Sequence, residues 1–236
     1  MAPFGASRAG LMSVVGDDIP DSVVDNFEDR DGDPAGVYGQ EDTLSDYYID
    51  VGGQLSDSSR DTTRSISGEK SLNLNNNGEF DWIYSPDGNG LNRYPEKGEI
   101  IESYHYNNND NMRSAMGFGI DDSGEGYWVL WSTGNQFISK GEPFDTIVDV
   151  SQSAPSDEWL LYRVEWHDGT GSEADGTIVF ELWEADSNGE KDSLINTIST
   201  TDDDYGDERG IGWCDNNSSS DESWADDYRV VGHVSD

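Results

Sequence analysis

Six side chains on predicted strands have the chemistry of sugar recognition: Trp128, Arg163, Glu165, His167, Glu181 and Trp183. Aromatic rings stack on sugar faces, and charged side chains hydrogen-bond hydroxyl groups in a site with few other polar partners. Alternation places Arg163, Glu165 and His167 on one face of their strand, and Glu181 and Trp183 on one face of theirs. We therefore predict a carbohydrate-binding face. The alternative is a set of ordinary exposed strand residues, or rings covered by a loop or a neighbouring subunit.

Catalysis by paired carboxylates is a second chemistry to consider. Retaining glycosidases hold two carboxylates about 5–5.5 Å apart. Glu99 and Glu102 come nearest in the sequence, but a spacing of three along a strand points them to opposite faces. The sequence also has no Gly-x-Ser-x-Gly elbow, no His-Glu-x-x-His helix and no phosphate loop. We therefore expect a protein without catalytic residues, and keep a glycoside hydrolase as the second alternative.

Short strands separated by turn clusters are the elements that would position these side chains. No amphipathic helical run of useful length interrupts them, and many short strands with such turns predict a two-sheet sandwich. The fold class expected is all-β, a two-sheet antiparallel jelly-roll sandwich with an extended N-terminal arm. The predicted strands are Ser71–Leu74, Phe80–Tyr84, Ile100–Tyr106, Ser114–Ile120, Tyr127–Trp131, Phe144–Val150, Trp159–His167, Thr177–Glu184, Leu194–Ser199, Gly210–Trp213 and Ser223–Val231.

The charge of the chain limits its partners. Its 236 residues include 50 acidic and 13 basic side chains, a net charge of −37 spread along the whole length. Such a diffuse acidic coat is typical of proteins that stay soluble in concentrated salt, where screening shortens the repulsion to a few Å. It argues against a nucleic-acid partner, which needs basic stripes. The 11% aromatic content argues against disorder.

Residues 1–22 are small and weakly polar, which predicts an arm outside the domain formed by residues 23–236. We expect this arm to anchor the domain or to contact another subunit. Met1 to Val15 carries one charge, Arg8, and no long apolar run, so we expect no signal peptide and no membrane insertion. The protein would then stay in the cell or leave it by another route, such as within a virion. Cys214 is the single cysteine, which excludes an intrachain disulfide.

Four segments together resemble a known superfamily: Asn26-Phe27-Glu28-Asp29, Ser67-Gly68-Glu69-Lys70-Ser71-Leu72, Trp159-x-x-Tyr162-Arg163-Val164-Glu165-Trp166 and Ala225-Asp226-Asp227-Tyr228. In this order and spacing, over roughly residues 23–232, they are similar to the concanavalin A-like (laminin-G-like) jelly-roll domains of haloarchaea and their tailed viruses. The resemblance implies two antiparallel sheets, opening and closing strands whose carboxylates meet, and often carbohydrate recognition.

The resemblance also implies a structural calcium ion. In related sandwich modules calcium joins the segments that here contain Glu28, the Ser67–Gly68 turn and Asp227. The implied ligands are Glu28 and Asp227 with carbonyl groups of Ser67 or Lys70, and Asp226 and Asp29 are further candidates. Calcium takes 6–8 oxygen ligands, often from carboxylates and carbonyls. The alternative is an acidic surface screened by salt.

These inferences favour a non-enzymatic structural and adhesion module on the surface of a haloarchaeal tailed virus, as a turret, decoration or tail-fibre protein in a high-salt environment. The arm would bind other virion proteins, the domain would bind host surface glycans, and copies of the chain would form a homo-oligomer, because virion appendages are usually cyclic assemblies. The alternative function is a cellular, lectin-like carbohydrate-binding module.

Overall fold

The computed structural model describes residues 22–30, 36–39, 41–74, 81–107, 114–132, 134–143, 145–186, 188–215 and 223–234. Residues 1–21 lie outside these ranges, so the arm stays a prediction. Two short helical elements fall within them, a 3₁₀ helix at Leu44–Asp46 and α1 at Gln54–Asp57. No helix in the described part of the chain is long and apolar enough to span a membrane.

Fifteen strands run through the described residues. They are β1 (Val23–Asp25), β2 (Ile49–Val51), β3 (Ser59–Asp61), β4 (Ser71–Leu74), β5 (Asp81–Ser85), β6 (Glu99–Asn107), β7 (Ala115–Ile120), β8 (Gly126–Ser132), β9 (Asn135–Gly141), β10 (Thr146–Ser151), β11 (Glu158–Trp166), β12 (Thr177–Ala185), β13 (Lys191–Thr201), β14 (Gly210–Asp215) and β15 (Ser223–His233).

The strands form two antiparallel sheets. The eight-stranded sheet has the order β13-β12-β11-β6-β15-β4-β3, with β1 pairing to β15 beside β4, and the seven-stranded sheet has the order β10-β9-β8-β7-β14-β5-β2. Among the described strands, seven of the thirteen neighbouring pairs are not successive in sequence, as expected of a jelly roll, in which the chain crosses repeatedly between the sheets. The predicted all-β, two-sheet antiparallel sandwich is confirmed.

The core lies between the sheets and is rich in large rings. Tyr162, Val164 and Trp166 of β11 are fully buried, and Phe180 and Leu182 of β12 pack in the same apolar cluster. Because side chains alternate along a strand, the residues between them face away from the core. The predicted alternation of β11 and β12 is therefore confirmed, and it decides which side chains remain available to a ligand.

Every predicted strand overlaps an observed one, but four observed strands have no counterpart among those predicted. β1, β2 and β3 have three residues each, too few for a periodic pattern to appear. β9 contains Phe137 and Ile138 among polar residues, and its pairing with β8 and β10 makes it a strand. Tertiary pairing overrides weak local preference in such segments.

The two ends of the domain meet, as the resemblance implies. β1 pairs with β15 through Val23 opposite Arg229 and Asp25 opposite Tyr228. Immediately beside this pairing, Phe27 and Asp227 both have left-handed backbone conformations, with φ of 58° and 57°. Non-glycine residues rarely adopt this backbone conformation, so the surrounding contacts must hold the backbone of the closure in it.

Candidate functional site

Four of the six predicted sugar-contacting side chains share the outer face of the eight-stranded sheet near its centre. Arg163 and Glu165 project from β11 and Glu181 and Trp183 from β12, on the side opposite the buried core residues. The register places Arg163 directly opposite Glu181 on one side and Glu102 of β6 on the other. Directly opposite residues lie close enough for their side chains to interact.

Arg163 is the centre of this face. Its Nη1 lies 2.7 Å from Glu165 Oε1 and 2.9 Å from Glu181 Oε2, and its Nε lies 3.5 Å from Glu102 Oε1. Burial opposes the charged guanidinium, but the hydrogen bond to Glu165 and the charge of Glu181 outweigh it and raise the pKa of Arg163. The three carboxylates are therefore held in fixed positions around one cation.

An aromatic ring and a second cation border the carboxylates. The indole N–H of half-buried Trp183 donates to Glu181 Oε2 at 3.0 Å, which fixes the orientation of the ring. Lys191 Nζ lies 2.6 Å from Glu102 Oε1 and 5.7 Å from the centre of the Trp183 ring. Glu102 and Lys191 were missed as members of this face, because their proximity depends on a strand register that no local pattern encodes.

His167 lies at the edge of the face and is 5% exposed. Its Nε2 is 3.4 Å from Glu165 Oε2, and neither ring nitrogen makes a hydrogen bond within the described residues. Its burial makes a direct ligand contact unfavourable, so His167 borders the face without being exposed on it.

Trp128 does not join the others, and its predicted place on this face is wrong. It belongs to β8 of the other sheet, is fully buried, and donates its indole N–H to the Gly141 carbonyl at 3.0 Å. A Cβ atom on Gly117 or Gly212 would lie 2.7 or 2.5 Å from its ring, so the ring lies flat against two glycines. Strand alternation alone cannot say which sheet a residue belongs to.

Glu99 and Glu102, whose spacing predicts opposite faces, do not lie together. Glu99 accepts a hydrogen bond from the Glu96 amide at 2.8 Å and contacts Arg93, whereas Glu102 faces Arg163 and Lys191. Glu99 and Glu102 therefore have separate partners, as their spacing of three along the strand predicts.

The predicted metal ligands gather at the closure between β1 and β15. Glu28 Oε1 accepts hydrogen bonds from the amides of Glu69, at 2.7 Å, and Lys70. Asp226 Oδ2 accepts from the amides of Ile66 and Ser67 at 2.9 and 3.2 Å. The loop at 66–70 therefore points four N–H groups at two carboxylates, and Ser67 and Lys70 contribute amides to them.

Asp226 is the least satisfied of these carboxylates. It is fully buried, and its Oδ1 has no hydrogen-bond partner within the described residues. Burial raises its pKa well above the usual value, the Ile66 and Ser67 amides oppose this, and the charge of Glu28 adds to it. A cation beside Oδ1 would relieve this cost.

The remaining predicted ligands have partners of their own. Asp227 pairs with Arg229, and Lys70 pairs with Asp29, which also binds Arg60 at 2.7 Å. Across the described ranges, no three side chains of Asp, Glu, His or Cys form a group that could hold a metal ion. Main-chain oxygens or water would have to complete a calcium site here.

Comparison with known proteins gives information about the fold of this chain and not about its function. No protein-family model matches the chain, and no curated protein matches it. Among solved structures it is similar to a PL-14 alginate lyase from Aplysia kurodai, with a TM-score of 0.53 and 11% identity over 78% of this chain and 90% of that one. This likeness concerns the fold alone and agrees with the two-sheet antiparallel jelly-roll sandwich described above.

Two lectins are among the other similar structures. Lectin II from Ulex europaeus has a TM-score of 0.46 and 8% identity over 80% of this chain and 97% of that one. Peanut lectin has a TM-score of 0.41 and 11% identity over 78% and 97%. At such low identities and TM-scores the two lectins carry no argument about this chain, and function must be argued from the site.

Proposed function

We propose that this protein is a non-enzymatic, lectin-like adhesion module that binds glycans on the outer face of its eight-stranded sheet. The observation that carries the proposal is the group of Glu165 and Glu181 around Arg163, with Trp183 fixed beside them. It combines a partly exposed ring with preorganised polar groups, the combination that sugar binding requires.

The carboxylates keep capacity for a ligand although they bind Arg163. An ionised carboxylate has about four acceptor positions, and the contacts to Arg163 and Trp183 use only part of them in Glu165 and Glu181. On the neighbouring strand, exposed Thr197 lies opposite Glu181 and exposed Ser199 lies two residues further. Sugar hydroxyls can donate to the carboxylates and exchange hydrogen bonds with these two side chains.

A glycan array at high salt tests the proposal, with Trp183→Ala as the variant. We expect binding to at least one glycan class and an affinity loss of at least tenfold, or about 1.4 kcal/mol, in the variant. Ile147→Ala is the matched control, because Ile147 is an exposed apolar residue on β10 of the other sheet. An array without binding, or equal loss in both variants, would contradict the proposal.

The setting we propose is the surface of a haloarchaeal virus particle, with a cellular lectin as the alternative. The net charge of −37 supports a high-salt environment, and the weakly polar residues 1–22 support an anchoring arm. Light scattering at high salt, on the full chain and on a chain lacking residues 1–22, tests this. We expect an oligomer that dissociates without the arm; two equal monomers would favour the cellular lectin.

A structural calcium ion at the closure remains part of the proposal. Glu28 and Asp227 would hold it, with the carbonyl of Ser67 or Lys70 and water as further ligands. Its role would be to neutralise the buried carboxylates where the first and last strands meet.

A further inference from the structure

A cleft of about 620 Å³ opens beside the seven-stranded sheet, on the other sheet from the Arg163 face. Ligand sites for small molecules usually have volumes of about 300–1,000 Å³. The residues lining the cleft come from five separate segments: Trp82 from β5, Glu125 from the β7–β8 turn, Lys140 and Gly141 from β9, Glu142, Pro143 and Asp145 from the β9–β10 turn, and Tyr205 from the β13–β14 loop.

Hydrogen bonds between these segments hold the walls in place. The Tyr205 hydroxyl donates to Glu125 Oε2 at 3.0 Å, and the Trp82 indole N–H donates to the Gly124 carbonyl at 3.2 Å. The Tyr205 ring packs edge-on against Tyr127 with ring centres 5.4 Å apart. A site whose groups are already oriented loses less entropy when a ligand binds.

The lining has the composition of a sugar subsite. The half-buried Tyr205 ring, Trp82 and buried Pro143 supply apolar surface, and Glu125 supplies an acceptor. Burial and the hydrogen bond to Glu125 raise the pKa of Tyr205 to about 12, so its hydroxyl stays protonated, keeps its bond to Glu125 and can accept a hydrogen bond from a ligand. Apolar rings beside hydrogen-bond acceptors suit a sugar ring that has one C–H face and a rim of hydroxyls.

The charge of the cleft restricts the ligand further. Its lining has three carboxylates, in Glu125, Glu142 and Asp145, against the single cation Lys140. Lys140 is already bound by Asp202 at 2.6 Å and by Asp204. An acidic sugar would meet uncompensated negative charge, whereas a neutral or amino sugar would not.

We propose that this cleft is a second binding site, independent of the Arg163 face, for a single sugar ring without an acidic substituent. This proposal can be tested separately from the proposed function, because the two sites lie on different sheets and share no residues.

Ligand-observed NMR titration of the full chain with glucose, glucosamine and glucuronate tests it. We expect saturable binding of glucose or glucosamine and at least tenfold weaker binding of glucuronate. In Tyr205→Ala this binding should fall at least tenfold. In Tyr205→Phe, which keeps the ring on Tyr127 and loses only the bond to Glu125, it should fall by a smaller factor.

Trp183→Ala is the control, and it should leave cleft binding unchanged. Absence of saturable binding by all three sugars, glucuronate binding as tight as glucose, or an unchanged affinity in both Tyr205 variants would overturn the cleft proposal. A loss in Trp183→Ala without a loss in Tyr205→Ala would assign the binding to the Arg163 face, which overturns the cleft proposal while leaving the proposed function intact.

Discussion

The Asp25 carboxylate accepts a hydrogen bond of 2.6 Å from the Tyr48 hydroxyl, which itself accepts one of 3.1 Å from the Trp213 indole. Asp25 belongs to β1 of the eight-stranded sheet and Trp213 to β14 of the other, so this chain of polar contacts crosses the core. Asp25 also accepts from Tyr38 at 2.9 Å. A buried carboxylate with several donors ties the first strand to both sheets.

Asp25 predicts a pH dependence of stability. Burial raises its pKa from 3.8 to about 6, although the bonds from Tyr48, the Phe27 amide and Tyr38 oppose the shift. Because the folded-state pKa is above the unfolded value, the contribution of this group is complete below pH 3.8 and is lost as the pH rises through 6. Relative to Asp25→Asn, the wild type should gain up to about 3 kcal/mol of unfolding free energy between pH 7 and 4.

Urea unfolding at each pH measures this difference. Asp192→Asn removes one carboxylate from an exposed strand end and is the matched control for charge. A wild-type advantage over Asp25→Asn that stays constant from pH 7 to 4 would contradict the assignment.

Arg163 should matter more for stability than a surface arginine. Arg163→Met leaves Glu165 and Glu181 without their shared cation in a partly buried site, and we expect the unfolding free energy to fall by about 1–3 kcal/mol. Arg209→Met is the control, because Arg209 pairs with Glu96 at 2.8 Å where both side chains are about half exposed. Denaturant melts compare the two, and equal losses would show that the Arg163 cluster has no special role.

Gly68 is the most constrained position of the closure loop. It has φ of 59°, and a Cβ atom there would lie 2.4 Å from Glu28 Oε1. Gly68→Ala should therefore displace Glu28 from the Glu69 and Lys70 amides and cost more than the roughly 1–2 kcal/mol of left-handed strain.

Gly88→Ala isolates that strain. Gly88 has φ of 81° with nothing within 4 Å of the added Cβ, so only the backbone cost applies. Thermal melts of the two variants should show a distinctly lower Tm for Gly68→Ala; equal Tm values would mean that Glu28 moves without cost.

Calcium removal tests the proposed metal. At fixed high salt, we expect a chelator to lower the Tm of the wild type, because the buried carboxylates of Asp226 and Glu28 would lose their counter-charge. In Asp227→Asn the chelator effect should shrink. An unchanged wild-type Tm would show that the four amides of loop 66–70 satisfy the closure without a metal.

Some residues of the Arg163 face could be predicted from the local sequence pattern, whereas others are brought to it only by strand pairing. Arg163, Glu165, Glu181 and Trp183 were predicted because alternation along one strand is a local property. Glu102 and Lys191 join them only through the pairing of β11 with β6 and the position of the β12–β13 hairpin. Trp128 was misplaced because alternation along a strand shows which side chains share a face of that strand, but not to which sheet the strand belongs.

The amino-acid sequence by itself determined the strands with clear alternation, the aromatic core and the acidic surface, because these depend on composition and on a period of two residues. Tertiary structure alone decided which strands are neighbours, which carboxylates share Arg163, and which loops enclose the cleft at Tyr205. Those relationships join residues tens of positions apart, and the contacts that select them form only when both sheets pack over one core.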